Sequence, residues 1–155
     1  MKKAPRDWKQ AMTEALALAR QAASEDEVPV GAVIVETESG RIVGRGRNRR
    51  EADQNPLGHA EILAIGEAAR SLASWRLSGH TLVVTLEPCP MCLAACQQAR
   101  IDEVVYGAKD PKGGALSLGL CLHEDARTNH RFPATFAESP ECGAVLTEFF
   151  RAKRN

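Results

Sequence analysis

Two short clusters hold the residue types that do chemistry: His59-Ala60-Glu61 and Pro88-Cys89-Pro90-Met91-Cys92. Imidazole nitrogen and thiolate sulfur are zinc donors, and a catalytic zinc site combines three protein ligands with an open position for water. Cys89 and Cys92 stand at the start of a predicted helix, so both sulfurs project to one side. The helix N-terminus favours negative charge there and helps keep the thiols ionised. His59, at the start of a second predicted helix, supplies the third ligand. Zinc brings the pKa of water down to about 7, and the Glu61 carboxylate is placed to take a proton and pass it on. Alone, Glu61 could simply stabilise the first turn of its helix; the metal cluster beside it favours the catalytic role.

Cys96 invites a fourth-ligand reading, which helix geometry opposes. Cys89 and Cys96 would lie about 10 Å apart at about 1.5 Å rise per residue. A cysteine reaches a zinc only about 4 Å from its own Cα. Cys96 is therefore expected to be a small buried apolar residue. Cys121 and Cys142 have no ligand spacing and are read the same way, while His80, His123 and His130 read as ordinary core or surface histidines.

The clusters need a scaffold that brings two helix starts together. Asp7 can cap a first helix to about Ser24, with Trp8, Met12, Ala15 and Ala19 at helical spacing. Val30 to Val35 reads as a buried strand, Glu38-Ser39-Gly40 as a turn, and Ile42-Val43 as the opening of a hairpin partner. Asn55-Pro56-Leu57-Gly58 breaks the chain before a helix from His59 to about Ser71. Thr81 to Leu86 has a central-strand pattern. Pro88 and Pro90 bracket the start of a helix through about Ala99, with Pro90 suited to its first turn. Val104 to Gly107 is a fourth strand, Asp110 to Gly114 a loop, and Pro140 to about Arg151 a last helix. A hairpin followed by alternating helix and strand predicts a three-layer α/β domain with a mixed sheet. Sites in such sheets gather where strands hand over to helices.

The chain has 155 residues, enough for one domain with a full core, and no repeat or linker divides 1–155. No apolar run is long enough to span a membrane. The N-terminus carries Lys2 and Lys3, but the segment after it is charged and amphipathic rather than a signal-peptide core. Five cysteines then argue for reduced thiols or metal ligands, and the expected location is the cytoplasm. The net charge is zero, which announces no nucleic-acid partner. Arg41, Arg45, Arg47, Arg49 and Arg50 form an acid-free basic strip, and Arg151-Ala152-Lys153-Arg154 a basic tail. Such charge can track phosphates, although on charge alone a solvated strand edge is the simpler reading.

H-A-E after a strand and loop, combined with P-C-x-x-C after a central strand, is the pattern of zinc nucleobase deaminases. The chain resembles the bacterial tRNA-specific adenosine deaminases, which convert the wobble adenosine of an arginine tRNA to inosine. The resemblance runs through Glu27 to Val33, Arg47-Asn48-Arg49, His59 to Ile62, Thr85 to Cys89, Tyr106 to Asp110, Asn129-His130-Arg131 and Phe149-Phe150-Arg151. It implies the cytidine-deaminase-like α/β/α sandwich and a homodimer. It also implies that Asn48 and the Ala60 backbone contact the purine and that Val28 packs on it. Asp110 and Lys112 would meet the anticodon nucleotides, and Phe149-Phe150 would shape their channel. Asn48 offers donor and acceptor on one plane, as a purine edge requires, though it could equally be a turn residue. Of two adjacent helical phenylalanines only one can face inward cleanly, so one is expected in the core.

The chain departs from the family at Pro56-Leu57-Gly58, where Pro-Thr-Ala is usual, and at Gly113 to Leu118, where Thr-Gly-Ala-Ala-Gly-Ser is usual. Both departures bear on substrate choice rather than on zinc. A free guanine or small-purine deaminase shares the fold and metal motif. A non-catalytic RNA-binding module with a structural zinc is opposed by Glu61 and by the supply of only three ligands. A free-nucleoside cytidine deaminase leaves the matching regions outside the metal motifs unexplained.

Overall fold

A strand buried on both faces must supply alternate residues to two separate cores. In the computed structural model, which describes residues 7–154, β1 (Gly31–Glu36) does this. Ala32 and Ile34 join one core with Ala60, Ala64 and Ala68, while Val33 and Val35 join another with Ala11, Met12 and Leu16. The period of two along β1 thus generates three layers. The sheet adds β2 (Ile42–Arg47), β3 (His80–Val84), β4 (Glu103–Tyr106) and β5 (Ala134–Phe136), in the order β2-β1-β3-β4-β5. β1 runs antiparallel to β2 and β3, whereas β3, β4 and β5 are parallel, so the sheet is mixed as expected. Helices α2 (Ala60–Leu72) and α3 (Pro90–Gln98) cover one face. Helices α1 (Lys9–Ser24) and α4 (Pro140–Arg154) cover the other.

Several boundaries differ from the sequence reading. Asp7 is not the cap itself: Trp8 holds that position, and the Asp7 carboxylate accepts the Lys9 N–H at 2.9 Å from one residue further out. Lys2 and Lys3 lie outside the described residues. β3 ends at Val84, and Thr85 turns its hydroxyl to accept the Gly31 N–H at 3.2 Å. β5 and a short 3-10 turn at Leu122–Glu124 were not expected. β5 is three residues long, follows Pro133 and leaves Thr135 and Phe136 exposed, so it carries no alternating pattern.

One packing contact sets the height of the site. A Cβ on Gly44 would lie 2.5 Å from the Ala64 carbonyl oxygen, and one on Gly46 would lie 2.2 Å from that of Ala60. The backbone of α2 therefore rests directly on β2, which fixes where its first turn, and with it His59 and Glu61, can sit.

Candidate active site

His59 and Cys89 occupy equivalent places: each is the extended residue immediately before the first residue of its helix. Cys92 follows in the first turn of α3, with Pro90 opening the helix. Both helix starts point to the same spot at the end of β3. His59 Nδ1 lies 3.7 Å from Cys89 Sγ and 3.5 Å from Cys92 Sγ. The three donor atoms lie within 4.8 Å of one another, and among the described residues no other group of His, Cys, Asp or Glu is so placed. Bonds of about 2.1 Å to nitrogen and about 2.3 Å to sulfur at a tetrahedral angle would set those atoms about 3.6 Å apart. The residues present therefore fit a zinc ion without rearrangement.

The Cys89 thiol is pulled down to about 4, first by the hydrogen bond from Cys92 and then by that from His59. Cys92 is pushed up by the same bond and by burial. The bond to Cys89 raises His59. Glu61 is 4% exposed, and desolvation pushes its carboxyl up to about 7. Cys96 is fully buried in the core, where desolvation raises its thiol, and it stands outside the ligand trio. Cys142 is buried 3.9 Å from the Met12 sulfur, and Cys121 is exposed. The three other histidines also stay out of the site: His80 contacts the Ser78 carbonyl, His130 contacts that of Ile101, and His123 packs on Phe132.

A pocket of about 140 Å³ opens beside His59, Glu61 and Cys89, and its walls include Val28, Asn48, Ala60 and Asp110. The Asn48 carboxamide is partly occupied: it donates to the Val28 carbonyl at 3.1 Å and accepts the Arg50 N–H at 3.1 Å. The turn role and the pocket role thus coexist, because an amide has further hydrogen-bonding capacity. Lys112 and Phe150 do not line this pocket. Lys112 is exposed on the neighbouring loop, and its backbone N–H reaches the Asp110 carboxylate at 3.3 Å. Phe150 is 46% exposed and Phe149 half-buried, in an edge-to-face pair with centroids 5.4 Å apart, so neither is the core residue that was expected. α4 packs towards α1 through Cys142 and Val145, so Phe149, further along the same side, is half-buried, whereas Phe150 faces outwards. Both rings line a second cavity of about 610 Å³, which shares Val28, Asn48 and Arg50 with the first.

Two buried glutamates that sequence reasoning gave no role hold the walls. Glu87 accepts the Asp110 N–H at 3.1 Å, the Ser117 N–H at 2.8 Å and the Ser117 hydroxyl at 2.6 Å. Glu27 accepts the N–H groups of Glu51 at 3.0 Å and Ala52 at 2.7 Å. For Glu87 the available signal was a charge between the apolar strand and Pro88; Glu27 ends the acidic run Glu25-Asp26-Glu27 and carried none.

The chain's residues 5–108 match the cytidine and deoxycytidylate deaminase zinc-binding region. The tRNA-specific adenosine deaminase of Bacillus subtilis is 45% identical over 144 residues, covering 92% of this chain and 88% of that protein. A tRNA(Ile)-lysidine synthase of Deinococcus radiodurans is 59% identical over 106 residues, which are 68% of this chain but 18% of that longer protein. A solved structure from studies of A-to-I editing by tRNA:A34 deaminases superposes with a TM-score of 0.83 at 40% identity, covering 89% of this chain and 99% of that one. The chain belongs to the cytidine and deoxycytidylate deaminase family and groups there with the tRNA-specific adenosine deaminases.

Proposed function

We propose that this chain is a zinc-dependent hydrolytic deaminase that converts the wobble adenosine of an arginine tRNA to inosine. The observation that carries the reading is the convergence of His59, Cys89 and Cys92 beside a nucleobase-sized recess into which Glu61 is buried. His59, Cys89 and Cys92 would hold a zinc ion, which when bound would lower the pKa of the attacking water towards neutrality. Glu61 moves the protons: it takes one from the attacking water and delivers it to the purine N1, then takes the second from the oxygen now bonded to C6 and delivers it to the departing amine. Water and adenosine thus give inosine and ammonia. Asn48 and the Ala60 backbone hold the purine edge, Val28 packs on its face, and Asp110 with Lys112 meets the adjoining nucleotides. Phe150 offers an exposed ring for stacking.

The exposed leucines Leu118, Leu120 and Leu122, at 49%, 52% and 38%, support a homodimer, since a row of apolar side chains on one loop suits a second copy. No helix of the described residues is long and apolar enough to cross a membrane, and the proposed site of action is the cytoplasm. The test incubates the purified protein with an arginine tRNA transcript and, separately, with guanine, and measures inosine and ammonia. Inosine at the wobble position is expected. Release of ammonia from guanine with the tRNA adenosine untouched would establish the small-purine reading instead.

A further inference from the structure

Most of the basic strip is neutralised by the fold. Arg41 pairs with Glu36 at 3.7 Å, Arg47 with Glu25, and Arg49 with Asp53 at 3.2 Å. Arg45 and Arg50 have no carboxylate partner among the described residues. Arg45 lines neither cavity, whereas Arg50 lines both. We propose that the Arg50 guanidinium binds one of the two phosphodiesters flanking the base in the catalytic pocket. The assignment rests on the reading of the substrate as an RNA chain.

A base extruded into the pocket leaves its sugar and both phosphodiesters at the mouth. Arg50 stands on the wall shared with the second cavity, where the chain of nucleotides must run if it is to reach Phe149 and Phe150. The acids around it are engaged elsewhere. Asp26 is held by Lys153, Glu25 by Arg47 and Arg49, and Glu27 by two backbone N–H groups. Glu51 has no ion-pair partner among the described residues, but it lines the second cavity and not the catalytic pocket. An always-charged, planar fork of donors is suited to a phosphate.

The test uses an anticodon stem-loop carrying the target adenosine, with an uncharged methylphosphonate at its 5′ or its 3′ linkage. With wild-type protein, one of the two replacements is expected to lower kcat/KM about tenfold, as loss of a charge-assisted contact would. Arg50→Ala on unmodified RNA should show the same loss, and combining the two should cost no more than either alone. The salt slope of binding should shrink by about 0.7 in Arg50→Ala, the share of one single-stranded phosphate. Arg45→Ala removes the same charge outside both cavities and should behave as wild type. Losses that multiply at both linkages, or an Arg45→Ala defect equal to that of Arg50→Ala, would overturn the Arg50 assignment while leaving the deaminase reading in place. A wild-type protein that makes no inosine in the unmodified stem-loop would instead overturn the RNA reading, and Arg50 with it.

Discussion

Replacing Glu87 should loosen one wall of the pocket without touching the metal ligands, and the size of the effect follows from its contacts. The side chain is 3% exposed and receives three hydrogen bonds, two on one oxygen and one on the other. A charged acceptor contributes about 1.5 kcal/mol per bond at the low end, which is appropriate because Ser117 is exposed and water can replace part of the loss. Three bonds come to about 4.5 kcal/mol, and water admitted by the shortened side chain can satisfy one of the three freed donors, which returns about 1.5 kcal/mol. Glu87→Ala should therefore destabilise by about 3 kcal/mol. In Glu87→Gln the amide oxygen can keep the Asp110 N–H and the Ser117 hydroxyl, but the new NH₂ faces the Ser117 N–H. That variant should lose about 2 kcal/mol. Urea unfolding reads both values as a lower midpoint at constant m. Because Asp110 hangs on the same oxygen, KM for the stem-loop should rise in both variants while kcat stays within about twofold and zinc stays bound. A Glu87→Ala protein that loses less than about 1 kcal/mol, or one that loses zinc before it loses stability, would refute the claim that this carboxylate holds the loop.

Cys92→Ala should lose zinc and activity together, whereas Cys96→Ala should keep both by metal analysis and turnover, because Cys96 lies in the core outside the trio. Glu61→Gln should keep zinc and fold but lose activity by at least about 10²-fold; retained turnover would place proton transfer on another group. Gly46→Ala would put a methyl 2.2 Å from the Ala60 carbonyl oxygen and 2.6 Å from the Ala64 nitrogen. Because both obstacles are helix backbone, a loss of about 3 kcal/mol is expected in urea unfolding, and an unchanged midpoint would show that α2 does not rest on β2 as described.

What could be read in the sequence was what depends on short stretches. The ligand trio, the two helix starts and the strand that is apolar on both faces are each written within a few consecutive residues, and the structure brings them together as expected. β5 could not be read, because its identity lies in its partner: Ala134, Thr135 and Phe136 are a strand through pairing with Val104, Val105 and Tyr106, about thirty residues earlier. The walls of the pocket escaped for the same reason. The bonds of Glu87 cross 23 and 30 residues and those of Glu27 cross 24 and 25, and no local pattern announces where a buried carboxylate will find its donors. The phenylalanine pair failed differently. Helical spacing puts Phe149, seven residues on, on the side bearing Cys142, but that side is covered only towards its start at Cys142 and Val145, so the ring is half-buried and Phe150 faces outwards.

The departures from the family pattern can now be placed. A Cβ at position 113 would lie 2.8 Å from Asp110 Oδ2, and one at position 114 would lie 2.0 Å from Glu87 Oε2. Gly113, where the family has threonine, and Gly114, where the chain keeps the family's glycine, thus let both carboxylates fold against the loop backbone, where Asp110 also accepts the N–H groups of Lys112 at 3.3 Å and Gly113 at 3.1 Å. Gly58 stands in the opposite loop, where its carbonyl accepts the Arg49 N–H at 3.0 Å. Leu57 borders the site, since its carbonyl accepts the His59 N–H at 2.8 Å, but neither departure lies in the α2–β2 contact that sets the height of His59 and Glu61. They alter only the two loops tethered by Glu87 and Glu27. The two parts of the site are therefore held differently: His59, Cys89 and Cys92 sit on helix starts fixed by the core, and the pocket walls are loops held by single buried carboxylates.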